Sequence, residues 1–194
     1  MKIVLATNNP GKVEEYNEIL APLGISVLTP KDLGVASDPE ETGADYRQNS
    51  FIKARALQKM IHLPVIADDS GIEIEAMGNR PGLNTARFAK ENGGFPAVFS
   101  VIFDTLKDEA NRKAAFHCCI CYLESEESEP RYFEGVCPGR ILTEVHGSHG
   151  FGYDPIFHAD EPDCDFGLAS DEIKNTYSHR GKALKKLLEY LNNK

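Results

Sequence analysis

Val65-Ile66-Ala67 runs directly into Asp68-Asp69-Ser70-Gly71, and Ile72-Glu73-Ile74 follows. The first apolar run reads as a buried strand. Two adjacent carboxylates at its end repel each other unless a cation or a proton relieves the repulsion. By composition, Asp-Asp-Ser-Gly is a polar turn between strands at 65–67 and 72–76. By chemistry, an acidic, oxygen-rich strand end suits Mg²⁺, which binds through one or two carboxylates plus waters and phosphate oxygens. The rest of the chain has to decide between a solvated turn and a metal site.

Working outward, the flanking segments alternate between strand-like and helical patterns. Residues 2–6 continue the strand-like run that opens at Met1, and Thr7 to Lys12 form a polar turn. Asn9 is placed to cap a helix whose first position is Pro10, where a missing N–H costs nothing. Val13, Tyr16, Ile19, Leu20 and Leu23 give that helix its apolar face. A second strand is expected at 25–28, a loop at 30–44 and a second helix at 45–61. Beyond the acidic turn the pattern predicts a loop at 79–84 and a helix at 95–107. Strands follow at 114–123, 132–136 and 141–145, then a Gly/His-rich loop at 146–152 and a short strand at 154–158. A last helix begins after Ser178, with Ala183, Leu184, Leu187, Leu188 and Leu191 on its buried stripe. The irregular interleaving favours an α/β fold: two lobes, a long mixed β-sheet flanked by helices, and an active-site cleft between the lobes.

The chain has 194 residues, 41% hydrophobic and 26% charged, enough for one domain, residues 1–194, with a sizeable core. A net charge of -9 argues against a nucleic-acid polymer as partner, since that needs a positive field. It leaves room for a small polyanion met by local lysines and a metal. No apolar run is long enough to span a membrane and no signal peptide is legible, so a cytoplasmic protein is expected. Five cysteines show no CxxC spacing. Cys118, Cys119 and Cys121 fall in one expected strand and read as reduced packing residues.

Three further segments carry chemistry-bearing residues. The strand–turn–helix at Thr7 to Lys12 resembles a phosphate cradle of helix N–H groups and a lysine, although it lacks the GxxxxGK[ST] pattern. A plain helix start is the alternative. Glu40-Glu41-Thr42-Gly43 precedes Asn49 and Lys53, which project from one side of the second helix. The two glutamates are either loop acidity or, with Asp69, oxygen ligands for Mg²⁺. Gly150-Phe151-Gly152-Tyr153-Asp154 offers two aromatics to hold a planar base and a carboxylate to accept from its edge; a strand entry with core aromatics is the alternative. Lys174, His179 and Arg180 cluster around the last helix start, where positive charge opposes the helix dipole and so suggests a ligand. His62, His117, His146 and His158 read as structural, and no Ser/His/Asp nucleophile arrangement is present.

Six segments in order — ATNNPGK (6–12), EETG with NSFIKA (40–43 and 49–54), ADDSGIEI (67–74), PGLNTARFA (81–89), HGFGYDPIF (149–157) and EIKNTYSHRGKAL (172–184) — resemble the inosine/xanthosine triphosphate pyrophosphatase family. The resemblance covers nearly the whole chain. It implies an elongated two-lobed α/β homodimer that hydrolyses non-standard purine nucleoside triphosphates (ITP, dITP, XTP) to the monophosphate and pyrophosphate with Mg²⁺. It implies that Thr7, Asn8, Asn9, Pro10, Gly11 and Lys12 contact the triphosphate and that Glu40 and Asp69 hold the metal, Asp69 also being the proton acceptor. Lys53, Ser70 and Arg87 would position phosphates or sugar. Phe151, Gly152, Tyr153, Asp154, Lys174, His179 and Arg180 would line the base and ribose pocket. Thr85 and Phe88 stand where the family commonly has Ser and Tyr, Asn84 replaces a usual aromatic and Lys90 a common Gly. A non-catalytic nucleotide sensor and a pyrophosphatase for another modified nucleotide are the alternatives.

Overall fold

The computed structural model describes residues 2–194; Met1, the first residue of the expected N-terminal strand run, lies outside the described residues. The strands are β1 (Lys2–Leu5), β2 (Ser26–Leu28), β3 (Val65–Ile74), β4 (Arg80–Pro81), β5 (Lys113–Leu123), β6 (Arg131–Ile141), β7 (Phe157–Ala159) and β8 (Cys164–Asp165). The α-helices are α1 (Pro10–Leu20), α2 (Tyr46–Ile61), α3 (Thr85–Glu91), α4 (Ala97–Thr105), α5 (Asp171–Tyr177) and α6 (His179–Asn192). The strands pair in the order β2-β1-β3-β5-β6-β7-β8, with β4 on β3. β1 runs parallel to β2 and β3, whereas the β3–β4, β6–β7 and β7–β8 pairs are antiparallel. The sheet is therefore mixed, as the interleaved pattern predicts.

The chain divides into two compact units. The first holds 2–69, 118–134 and 183–194, and the second holds 70–117 and 135–182. The first unit has two apolar clusters. One joins Leu5, Tyr16, Leu20, Ile66, Ile120, Leu184 and Leu187. The other joins Val4, Ala54, Leu57, Val65, Ala67 and Leu123. Val65, Ala67 and Ile66 thus serve opposite faces of β3, as the period of two in a strand requires. The second unit is built around Ile72, Ile74, Phe99, Ile102, Phe116, Phe157 and Phe166. Cys118, Cys119, Cys121 and Cys137 are buried and form no disulfide, consistent with packing residues.

The N-terminal elements follow the sequence closely. Asn9 is extended and its side chain accepts from the Gly11 and Lys12 N–H groups, with Pro10 opening α1. Asp45 caps α2 through the Gln48 N–H. Ser178 caps α6, its Oγ accepting from Gly181 N at 3.1 Å.

Elsewhere the structure corrects the expectation. Asp68-Asp69-Ser70-Gly71 is not a turn: β3 continues through it as one ten-residue strand. The expected strands at 132–136 and 141–145 are replaced by a single β6 of eleven residues. Within β6 the Pro138 carbonyl accepts from Asp160 N. A Cβ on Gly139 would strike the His158 backbone carbonyl, so only glycine permits the β6–β7 approach there. The helix expected at 95–107 is shorter, and α3 and α5, seven residues each, are additional. Residues 79–84 include β4 and a 3₁₀ turn at Gly82–Asn84. The expected strand at 154–158 begins as a 3₁₀ turn, Asp154–Ile156, before β7.

Candidate active site

The two carboxylates of β3 point to opposite faces, and each has its own lysine. Lys12, in the first turn of α1, puts Nζ 2.8 Å from Asp68 Oδ1. The other Asp68 oxygen lies 3.8 Å from the Cys118 thiol, which donates to it. Lys53, on α2, puts Nζ 2.8 Å from Asp69 Oδ1 and 3.1 Å from Glu41 Oε1. Asp69 Oδ2 is buried and has no hydrogen-bond partner. Burial pushes the Asp69 carboxyl above the ordinary carboxylate range, a pull that Lys53 only partly offsets. Lys53 feels the opposite balance: burial lowers its pKa, but Asp69, Asp68 and Glu41 together outweigh that and raise it. The ammonium is therefore held charged beside a carboxylate that protonates more readily than usual.

The loop bearing Glu40 and Glu41 is held from α2. Asn49 Oδ1 accepts from Gly43 N at 2.8 Å, so Asn49 and Lys53 both turn toward this segment, as their spacing predicts. A Cβ on Gly43 would stand 2.6 Å from Asn49 Oδ1 and 2.8 Å from its backbone N. The glycine is what lets the loop approach. Glu41 is the glutamate brought to Lys53; Glu40 is exposed and is not brought into this set. Asn8 and Asn9 are exposed, with Asn8 Nδ2 donating to Ser37 O at 2.9 Å. Thr7 Oγ1 accepts from Asn9 N.

Asp69 Oδ2 is the atom that tests a metal. A buried carboxylate oxygen left without a hydrogen bond costs free energy unless something else occupies it. Among the described residues no group of three or more His, Cys, Asp or Glu side chains could hold a metal ion. Mg²⁺ does not need such a cage, because it takes one or two carboxylates and draws its remaining oxygens from water and substrate phosphate. Asp69 and Glu41, sharing Lys53, fit that demand.

A second set lies in the second unit. Arg180 is 2% exposed, and its Nη2 donates to Ser70 Oγ at 3.0 Å. Lys174, also buried, lies 2.6 Å from Asp154 Oδ2, which accepts from Phe151 N as well. The Lys174 ammonium and Arg180 guanidinium stand 4.9 Å and 5.7 Å from the Phe151 ring centre, within cation–π range. His179 stacks on Phe116 at 4.8 Å. A Cβ on Gly150 (φ 72°) would strike Asp154 Oδ2 and come within 2.8 Å of Lys174 Nζ, so the ion pair sits directly against the loop backbone.

The two aromatics expected to hold a base take different environments. Phe151 faces the two cations. Tyr153 is buried with Phe95 at 5.1 Å and Phe99 at 6.4 Å, and its hydroxyl donates to Thr85 O. Gly152 turns the chain between them with φ 64°. Arg87 is exposed on α3 and is not brought to the Phe151–Arg180 set. Sequence reasoning missed the Cys118 contact to Asp68 and the role of Thr85, whose Oγ1 accepts from Ile72 N and donates to Gly82 O. No local pattern announces the Cys118–Asp68 or the Thr85–Ile72 contact, which join residues 50 and 13 apart.

The model of the Ham1 family matches residues 3–190. This chain belongs to that family. Its similarity to the dITP/XTP pyrophosphatase of Photorhabdus laumondii is 42% identity, over 99% of this chain and 98% of that one. To the dITP/XTP pyrophosphatase of Escherichia coli K12 it is 40%, over the same shares. The solved structure of a HAM1 protein from Coxiella burnetii superposes with a TM-score of 0.88 at 36% identity and full coverage of both chains. The Ham1 fold is thus the mixed α/β sheet described above.

Proposed function

We propose that this Ham1-family chain hydrolyses ITP, dITP and XTP to the nucleoside monophosphate and pyrophosphate. The observation that carries the reading is Asp69: a buried carboxylate with one oxygen on Lys53, the other without a hydrogen bond, and Glu41 on the same lysine. The relatives named dITP/XTP pyrophosphatases support it.

The triphosphate falls to the residues around Asp69, and the base to those around Phe151. The positive end of the α1 dipole favours phosphate oxygens, although the Gly11, Lys12 and Val13 N–H groups are themselves taken by Asn9, and Lys12 and Lys53 supply positive charge. Asp69 accepts the proton of a water whose oxygen attacks the α-phosphorus. The new P–O bond forms as the α–β bridging P–O bond breaks, and pyrophosphate leaves with that electron pair. A carboxyl raised by burial is a better acceptor at neutral pH than an ordinary one. Asp69 and a glutamate of the 40–43 loop would hold Mg²⁺, which would supply Lewis-acid charge neutralisation on the polyphosphate. Of the two glutamates, the contact of Glu41 with Lys53 makes it a stronger candidate than Glu40.

Selectivity follows from the donor pattern. A 6-keto purine offers an acceptor at C6 and a donor at N1, and adenine reverses both. Arg180 and Lys174 are donors only, so adenine leaves buried polar groups unpaired. Ser70, through its bond to Arg180, orients the guanidinium, and Phe151 offers its ring to the base. His179, Tyr153, Gly152 and Asp154 shape the loop, and Arg87 reaches phosphate or sugar.

We further propose a cytoplasmic homodimer acting on free nucleotides, a reading supported by the charge of -9 and by the family resemblance. Among the described residues no helix is long and apolar enough to cross a membrane. Light scattering at assay concentration checks the dimer.

The deciding experiment measures pyrophosphate release from inosine, deoxyinosine, xanthosine, adenosine, guanosine and modified pyrimidine triphosphates. Parent, Asp69→Asn and Arg180→Ala proteins are compared. The parent is expected to favour the first three substrates, and Arg180→Ala to lose much of the inosine-over-adenosine preference. Tight binding without pyrophosphate release would make the chain a sensor, and preference for a pyrimidine would replace the substrate class.

A further inference from the structure

The loop that presents Phe151 has an unusually free backbone. Gly147, Gly150 and Gly152 all adopt positive φ, at 71°, 72° and 64°, a region glycine reaches easily but among many other conformations. Fixing such a loop only on binding would draw on the binding energy of the base. The loop is instead tied down at its root, within the second unit.

The tie has a backbone part and a side-chain part. His146 N donates to Pro155 O at 2.8 Å, and His149 N donates to Gly167 O at 3.0 Å. Gly147 and Gly167 pack so closely that a Cβ on either would strike the other segment's backbone carbonyl. Beside this contact, Asp165 on β8 is shared by two imidazoles. Its Oδ2 lies 2.7 Å from His146 Nδ1 and its Oδ1 lies 2.6 Å from His158 Nδ1. His158 is anchored on β7, its side chain 10% exposed, with Nε2 3.1 Å from Asp163 Oδ1. His146 Nε2 faces Glu144 Oε1 at 3.5 Å, and Arg140 is the β6 register partner of His158. One carboxylate therefore links the fixed β7–β8 hairpin to the residue where the glycine-rich loop begins.

We propose that Asp165 is a positioning residue for base recognition: by holding His146 to the β7–β8 hairpin it pre-orders the loop that carries Phe151. The proposal rests on the base-binding role assigned above to Phe151, Lys174 and Arg180. Asp165 touches none of these three groups in this arrangement and takes no part in phosphate chemistry. Its loss raises the ordering cost of base binding and leaves the Asp69 chemistry intact.

The test is a KM-against-kcat split for inosine triphosphate in parent, Asp165→Asn and His146→Ala proteins, with Mg²⁺ present. Thermal midpoints recorded alongside show that each variant is folded. His146 is partly exposed, so His146→Ala decides the matter if Asp165→Asn does not fold. Both variants are expected to raise KM roughly fivefold or more while kcat stays within about twofold, as loss of preorganised binding requires. Unchanged KM in the folded variants, or a fall in kcat as large as that in kcat/KM, overturns the positioning role. A parent that turns over no inosine triphosphate overturns the proposed function and the positioning role with it. A parent that does, matched by both variants, overturns the positioning role alone.

Discussion

At Asp69 the two oxygens of one carboxylate have different surroundings, and that asymmetry matters more than its burial. Oδ1 is held by Lys53, and Oδ2 has no hydrogen bond. Asp69→Asn keeps the shape of the group but removes the proton acceptor and weakens any metal contact. Its kcat is expected to fall by about a hundredfold or more. Its thermal midpoint should hold, because Lys53 retains Glu41. Gly43 is the second residue with a sharp consequence. A methyl group there stands 2.6 Å from Asn49 Oδ1 and 2.7 Å from Gln48 Cβ, so the loop must withdraw. Gly43→Ala is expected to cost about 1–3 kcal/mol of stability, read by denaturant midpoint, and to lower activity by displacing Glu41 from Lys53. Asn49 was legible as a helix-face partner of Lys53 from spacing alone. Which glutamate it serves was not, because loop conformation depends on a hydrogen bond six residues away.

At the scale of elements, the long periodic segments were legible and the short or compositionally odd ones were not. α1 and α2 have caps and apolar stripes that few other conformations satisfy. α3 and α5, at seven residues, complete too few turns for a period to emerge. β3 is divided by the sequence because Asp-Asp-Ser-Gly has turn composition, and β6 spans a gap, 137–140, between two expected strands. What keeps β3 extended is its place in the sheet between β1 and β5, and the lysines that meet its carboxylates, Lys12 and Lys53, lie 56 and 16 residues away in sequence. The β7–β8 hairpin yields a pH prediction. Burial works to raise Asp165, but hydrogen bonds from His146 and His158 outweigh it and hold its carboxyl below the ordinary 3.8. The bond to Asp165 raises His146 above 6.5. A depressed acid stabilises above its unfolded pKa, and that contribution is lost as pH falls through the folded value. A raised imidazole stabilises fully below its unfolded pKa, and that is lost as pH rises through the folded value. The stability gap between parent and His146→Ala should therefore be widest between 3.8 and 6.5. It should shrink on the alkaline side, as urea midpoints across that range will report. Glu144, Asp163, His158 and Arg140 are the charged and titratable neighbours to hold constant.

For the molecule as a whole, the charge balance assigns a task to the metal. The net charge is -9, and the Asp69 neighbourhood does not reverse it: Lys12 and Lys53 are outnumbered by Asp68, Asp69 and Glu41. A triphosphate meets more carboxylates than ammonium groups there. Removing divalent cations with a chelator is expected to abolish pyrophosphate release, with Mg²⁺ restoring it and monovalent salt failing to do so. The mixed α/β class was legible from the interleaving of elements, and family membership from six segments in order. Their three-dimensional grouping was not, because it is set by strand pairing between residues far apart in the chain.

The alternation along β3 also sets a rule for changing this protein. Neighbouring Asp68 and Asp69 belong to separate circuits, one through Lys12 and one through Lys53, solely because one strand residue faces each way. Deleting or inserting one residue between Val65 and Asp68 would exchange their faces without altering a single functional group. Chain length in this stretch is therefore as consequential as composition. Conservative substitutions at 65–67 should be tolerated where a one-residue indel is not.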